Sequence, residues 1–377
     1  MYSFLLAIFA SFAVTLLVLR SSRLHAHHTA DRDLSKPQRL HKDPVPRIGG
    51  LAVMAGMVAA AIVSAHGLSP QDKWAGLTLV ACSLPVFVIG FFHDLTDRIP
   101  PRGRLLATAI SALIAYGLMD AAIVRTDLPG LDWVVGFQVG AVVLTVFTVA
   151  GIANAVNIID GIHGLASMCS MLILAALCYV AFQVNDVWVE RMALAGLGAV
   201  LGFFAFNYPR GLIFLGDAGA YFLGFFVAEL AILLLIRNPT VSPMFPLLAC
   251  IYPVFETLFS IYRRTVLRGE SPATPDGIHL HSLVYRRLMR WAIGGPPNSA
   301  WAVTRRNSMT SPVLWMLCML AIVPATVFWD STEVLMLFIG LFGVTYTWLY
   351  WRIVKFRSPG WMRKRALTPP PRSRRVP

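Results

Sequence analysis

Apolar runs of about 20 residues, each long enough to cross a bilayer as a helix, recur from the first residues of this chain almost to its last. Breaks at proline, glycine and charge clusters divide it into about eleven spans, near 2–19, 48–66, 74–92, 103–120, 134–152, 164–182, 190–206, 214–236, 241–262, 311–329 and 333–351. Hydrocarbon offers no partner for a backbone amide, so runs of this length and apolarity fold as helices; barrel strands would be shorter and would alternate. The expected fold class is all-α, a polytopic membrane protein. No stretch between spans is long enough for a separate soluble core, so residues 1–355 read as one membrane domain with long loops at 20–47 and 263–310. Residues 356–377 form an Arg/Pro-rich tail that reads as solvated or bound to headgroups.

Charge gives the orientation. Of the 32 Lys and Arg residues, all but Lys73, Arg125, Arg191 and Arg237 fall in one set of alternate loops and the tail, which the positive-inside rule makes cytoplasmic. The first span has no basic residue before it and Arg20 and Arg23 after it, so it reads as an uncleaved signal-anchor with its N-terminus outside. The formal net charge of +13 lies beside membrane spans, where topology and anionic headgroups account for it. No interleaving of basic and aromatic residues points to nucleic acid. Cys82, Cys169, Cys178, Cys250 and Cys318 all lie within apolar spans without CxxC spacing, and so read as small hydrophobes rather than a disulfide or zinc set.

Several polar clusters gather on the cytoplasmic rim. The third span ends in His93-Asp94-Leu95-Thr96-Asp97-Arg98, with Asp94 nearer the hydrocarbon and Asp97 in the loop. After the fifth span, Asn157 and Asp160 are three apart, which puts them on one face if the stretch is helical, and Gly161 and Gly164 allow close backbone approach. Before the eighth span, Asn207 and Phe214 precede Gly216-Asp217; Asp217 reads either as the cap of the following helix or as a hard oxygen ligand for Mg²⁺. His279 and His281 lie in the long basic loop, where Leu280, Leu283, Val284, Leu288 and Trp291 share one face of an expected interfacial helix. Lys42 opens a Pro- and Gly-rich stretch, Asp43-Pro44-Val45-Pro46-Arg47-Ile48-Gly49-Gly50. Each cluster has a bland reading as a loop or helix end. Together they put carboxylates, amides, imidazoles and cations on one rim, suited to a Mg²⁺-bound phosphorylated ligand and a lipid partner, and phosphoryl transfer needs mainly positioning and charge neutralisation.

In this order the stretches resemble the polyprenyl-phosphate N-acetylhexosamine-1-phosphate transferases, the family that includes phospho-N-acetylmuramoyl-pentapeptide translocase. The resemblance runs from about Lys42 to about Arg290 and rests on Lys42, Pro46, Gly49 and Gly50; on Asn154, Asn157, Asp160 and Gly161; on Asn207, Phe214, Gly216 and Asp217; and on Asp276, His279 and His281. It implies transfer of a sugar-1-phosphate from a UDP-N-acetyl sugar to undecaprenyl phosphate, with release of UMP, in a bacterial inner membrane. It also implies Mg²⁺, or Mn²⁺, at Asp217; Asp94 and Asp160 acting on the lipid phosphate or its attack; His279 and His281 stabilising phosphates; and Lys42, Asn157, His163, Asn207, Phe214 and Arg264 binding substrate. A homodimer is compatible with the resemblance.

Two positions depart from the family pattern. His93 stands where the family usually has the first Asp of a pair, and His163 stands where the cell-wall branch has Asp. The short His-x-His form and the span count favour a branch that initiates surface glycans such as O-antigen. Two other readings account for the same spans: a transporter or flippase, which should carry polar groups near the bilayer midplane, and an inactive relative that binds polyprenyl phosphate.

Overall fold

The computed structural model describes residues 2–22, 45–66, 68–70, 72–271, 277–293 and 299–355; helices joined by turns and loops make up these residues, with no strand among them. Lys42, Asp276 and the tail lie outside them. The helices are α1 (Tyr2–Arg20), α2 (Gly50–Ser64), α3 (Ala75–Cys82), α4 (Leu84–Thr96), α5 (Pro101–Met119), α6 (Pro129–Val135), α7 (Gln138–Ile159), α8 (Leu165–Gln183), α9 (Val187–Asn207), α10 (Gly216–Arg237), α11 (Met244–Ala249), α12 (Ile251–Arg268), α13 (Leu280–Leu283), α14 (Arg290–Ile293), α15 (Ala300–Val327) and α16 (Thr332–Val354).

Among the described residues seven helices are long and apolar enough to cross a membrane, or eight if the bent pair α3–α4 counts as one span. The other expected spans are shorter, broken or more polar. The run at 48–66 supplies a helix of 15 residues. The run at 74–92 bends by 42° between α3 and α4. Pro85 causes that break, because it has no N–H to give to the preceding turn; Ser83 Oγ donates to Val80 O at 2.6 Å, and Ser111 Oγ accepts Val86 N–H at 3.1 Å. In the run at 241–262, α11 ends at Ala249 and Pro253 interrupts the first turn of α12, whose buried Glu256, Arg263 and Arg264 make it strongly two-faced.

Helix α10 is the axis of the bundle: every residue from Gly216 to Leu234 is buried, and α2, α4, α7 and α8 pack around it. Close approach at its first turn depends on small residues. A Cβ on Gly50 would lie 2.4 Å from Gly219 N, and one on Gly90 would lie 2.7 Å from Ala218 Cα.

The amphipathic segment after His279 departs from its expected register. It continues from α13 as a π-helix, Val284–Met289, before α14. The wider π turn shifts the stripe by one residue: Leu280, Leu283, Val284 and Met289 are buried, while Trp291 is exposed. The segment packs on α15 and α16 rather than lying alone in the headgroups, and Arg287 donates to the last carbonyls of α16 at Ile353 and Val354.

The four basic residues that break the charge bias all have protein partners. Arg237 pairs with Asp72 at 3.0 Å and Asp186 at 2.8 Å, Arg125 with Asp127 at 3.5 Å, and Arg191 donates to Ser64 O and His66 O. Lys73 lies over the Trp74 ring.

Candidate active site

The first turn of α10 is where the polar clusters meet. A helix N-terminus presents amides with no intrahelical acceptor and the positive end of the helix dipole. Asp94, from the last turn of α4, accepts Asp217 N–H at 2.8 Å through Oδ1 and Ala218 N–H at 2.9 Å through Oδ2. Asp160, just beyond the end of α7, accepts Gly216 N–H. Two carboxylates from distant parts of the chain therefore cap one helix. Burial pushes the Asp160 carboxyl up to about 8, against the opposing pull of Arg47 and of the Gly216 hydrogen bond.

Of the two readings of Asp217, the arrangement does not bear out the cap, since Asp217 makes no capping bond to its own helix. Asp94 does the capping, so Asp217, inside the turn, is released to face a ring of donors. Its Oδ1 lies 3.3 Å from Arg47 Nη2 and 3.2 Å from Asn157 Nδ2. Its Oδ2 meets Arg104 and lies 3.7 Å from His93 Nε2. His93 also reaches Asp97 at 3.5 Å, so Asp97 is a neighbour of the imidazole. Gly216 makes the turn possible: its φ is +76°, and a Cβ there would lie 1.9 Å from Arg47 O.

A second layer joins the other predicted residues. Pro46 O accepts Phe214 N–H, and Gly49 and Gly50 donate to Phe214 O and Leu215 O, so the Pro- and Gly-rich stretch lies along the loop before α10. Asn207 is buried, and its amide serves the loops: Oδ1 accepts Gly164 N–H at 2.8 Å and Ser167 Oγ–H at 3.2 Å, and Nδ2 donates to Ile213 O at 2.8 Å. Those bonds tie the end of α9 to the loops at Gly164 and Ile213. The rings of His163 and Phe214 face each other at 5.6 Å, and Nδ1 of His163 lies 3.2 Å from Pro209 O.

His279 and His281 form a second group around Glu256. Their rings stack at 5.3 Å. Glu256 Oε1 accepts Leu280 N–H at 2.7 Å and lies 3.2 Å from His279 Nδ1, an arrangement that fixes ring orientation and tautomer. Arg264 is buried one turn before the end of α12 and donates to Ser271 O, beside Arg263, which lies over the Tyr350 ring.

Sequence reasoning did not single out Arg47, Arg104 or Glu256. Arg47 lies inside a quoted motif, and Arg104 opens a helix after a proline pair, but only the fold brings them to Asp217, across 170 residues in the case of Arg47. Glu256 reads in the sequence merely as an acid within an apolar span.

The residues present fit Mg²⁺ held in an open site. Among the described residues no group of three or more His, Cys, Asp and Glu side chains could hold a metal by itself. Asp217 offers one hard carboxylate, however, and Mg²⁺ usually takes one or two, leaving water and substrate phosphate to complete its shell.

Residues 76–235 match glycosyl transferase family 4. The chain is 30% identical over 299 residues to undecaprenyl-phosphate alpha-N-acetylglucosaminyl 1-phosphate transferase of Haemophilus influenzae, covering 75% of this chain and 79% of that protein. It is 27% identical over 266 residues to the probable undecaprenyl-phosphate N-acetylglucosaminyl 1-phosphate transferase of Bacillus subtilis, covering 69% and 70% respectively. To phospho-N-acetylmuramoyl-pentapeptide-transferase of Bacillus licheniformis it is 28% identical over 203 residues, 51% of this chain and 62% of that one. An alignment that spans most of both chains at this identity, over the same residues that build the turn at Asp217, makes this protein a member of glycosyl transferase family 4, the polyprenyl-phosphate sugar-1-phosphate transferase family its motifs resemble.

Proposed function

We propose that the protein transfers a sugar-1-phosphate from a UDP-N-acetylhexosamine to undecaprenyl phosphate. An oxygen of the lipid phosphate bonds to the phosphorus that bears the sugar, the bond from that phosphorus to the bridging oxygen breaks, and UMP leaves. The observation that carries this reading is the convergence of Asp94, Asp160 and Asp217 with Arg47 and Arg104 on the first turn of α10. The relatives' names support the polyprenyl-phosphate acceptor. The charge bias of the loops supports a cytoplasmic site in a bacterial inner membrane, and the His279-Leu280-His281 form supports a place at the start of a surface glycan such as O-antigen.

In this reading Asp217 is the residue that holds Mg²⁺, which when bound neutralises charge on the donor's diphosphate. Arg47 and Arg104 stabilise negative charge on the transferring group, acting from fixed positions at the rim of the bundle. Asp160 accepts the proton of the lipid phosphate. Asp94 is a positioning residue, since its carboxylate is taken by the amides of Asp217 and Ala218. His279 and His281, oriented by Glu256, hold phosphate oxygens. The test is purified protein with undecaprenyl phosphate, Mg²⁺ and a panel of UDP-N-acetyl sugars, scored for UMP and a new glycolipid by mass spectrometry. UMP and a lipid-diphospho-sugar from one donor are the expected products; release of free sugar phosphate, or no product with any donor, refutes the reading.

His93 yields a prediction of its own. Its Nε2 lies 3.7 Å from Asp217 Oδ2, so His93→Asp places a second carboxylate beside the first. The Mg²⁺ concentration for half-maximal activity should fall roughly tenfold, equivalent to about 1.4 kcal/mol of tighter binding, with kcat little changed. A rise in that concentration would show that the imidazole itself supports the metal site.

A further inference from the structure

Helix α15 lies outside residues 76–235 and beyond the sequence motifs, yet it grips the loop that carries His163. Asn307 and Ser311, one turn apart and both fully buried, face that loop. Asn307 Oδ1 accepts His163 N–H at 2.8 Å, and Ser311 Oγ donates to His163 O at 2.5 Å. One turn further along, Trp315 Nε1 donates to Gly164 O at 3.2 Å, while Gly164 N–H goes to Asn207. Every main-chain polar group of His163 and Gly164 thus has a side-chain partner, and three of the four partners come from α15. Ser308, on the same face, donates to Pro209 O, the carbonyl beside His163 Nδ1.

A hydrogen-bonded amide or hydroxyl inside a bundle is costly to place and costly to leave unpaired. A helix that needed only to cross the membrane would carry apolar residues at these positions. The conformation that these bonds enforce is also unusual: Gly164 has φ +71°, and a Cβ there would lie 2.9 Å from both the Phe204 ring and Tyr208 Cβ. The loop is therefore held from both sides, by Asn207 of α9 and by α15, in a geometry that presents the His163 ring to Phe214.

We propose that Asn307, Ser311 and Trp315 are positioning residues that lock the His163–Gly164 loop in the form the donor nucleotide requires, so that α15 sets donor affinity. This rests on the functional reading above, with a UDP-sugar as donor, and on the resemblance that counts His163 and Phe214 among the substrate-binding residues. The step is purely conformational and moves no bond of the substrate.

The test uses the full chain in lipid nanodiscs with Asn307→Leu, Ser311→Ala and Ser311→Thr. Two readouts are taken: hydrogen exchange over residues 161–166, and steady-state constants for UDP-N-acetyl sugar and for undecaprenyl phosphate. Asn307→Leu and Ser311→Ala should each speed exchange in that segment and raise the donor KM about tenfold. The lipid KM and kcat should stay within about threefold of wild type, and Ser311→Thr, which keeps the hydroxyl, should restore the donor KM. Unchanged exchange refutes the clamp. Faster exchange with an unchanged donor KM, or equal losses for both substrates, refutes its role in donor affinity. If Asn307→Leu does not insert, the Ser311 pair decides alone. If the wild type turns over no UDP-sugar while the exchange result holds, the clamp stands as structure, and it is the functional reading, with the donor role built on it, that fails.

Discussion

Asp217→Asn should lower turnover by at least about 10³-fold, on the scale seen when one element of electrostatic stabilisation is removed from a preorganised site. The substitution keeps shape and volume but removes the carboxylate that Arg47, Arg104 and His93 share. Two consequences separate it from a general loss of fold. Loss of a carboxylate shared by several cations leaves positive charge in excess, so the variant should bind inorganic diphosphate at least as well as wild type in the absence of metal. Raising Mg²⁺ should not rescue turnover, because the remaining hard donors near the site already serve the backbone. Near-normal turnover at saturating Mg²⁺ would move the metal elsewhere. Membrane insertion, checked by size-exclusion in detergent, should be unaffected, because Asp94 and Asp160 still cap α10.

Asp160→Asn should lower kcat by about 10²- to 10⁴-fold, the usual worth of a positioned proton acceptor. The sign of the pH dependence follows from its surroundings. Burial pushes this carboxyl up to about 8, so at neutral pH the ligand-free protein holds it largely protonated, and activity that needs the carboxylate should climb as pH rises through about 8. In Asp160→Asn that ascending limb should vanish from the residual activity, leaving a flat profile. If the variant keeps the limb, the titrating group lies elsewhere. The fold should also lose stability as pH rises from about 4 to about 8, because over that window the folded chain keeps a proton that the unfolded chain releases, and the loss is complete once the buried carboxyl ionises.

The parts legible in the sequence are those written locally. Most spans follow from apolar length, and the candidate carboxylates from their places at the ends of spans. Asp94, Asn157, Asp160 and Asp217 do meet, and they meet at one turn. What the sequence concealed depends on distant contacts or on small departures from ideal geometry. Whether Asp217 caps its own helix could not be decided until Asp94 was seen to reach it from another one. Arg104 looks like a flanking charge until α5 is laid beside α10. The stripe after His279, taken in ordinary helical steps, runs through Leu288 to Trp291, whereas the π turn buries Met289 and leaves Trp291 exposed. The polar residues between Thr304 and Ser311 looked like loop, because their hydrogen bonds run to carbonyls and amides about 150 positions earlier.

The glycine before Asp217 has a consequence for how chains of this kind diverge. Its backbone lies in the left-handed region, and Arg47 O stands where a side chain would begin, so no other residue is compatible with the turn that aims the aspartate. Sugar and lipid preference can drift through changes around His163 or His279, whose backbones accept any side chain. The Gly216-Asp217 pair can change only by abandoning the site, and a descendant chain that has lost this glycine while keeping the spans is best sought among binders and carriers rather than catalysts.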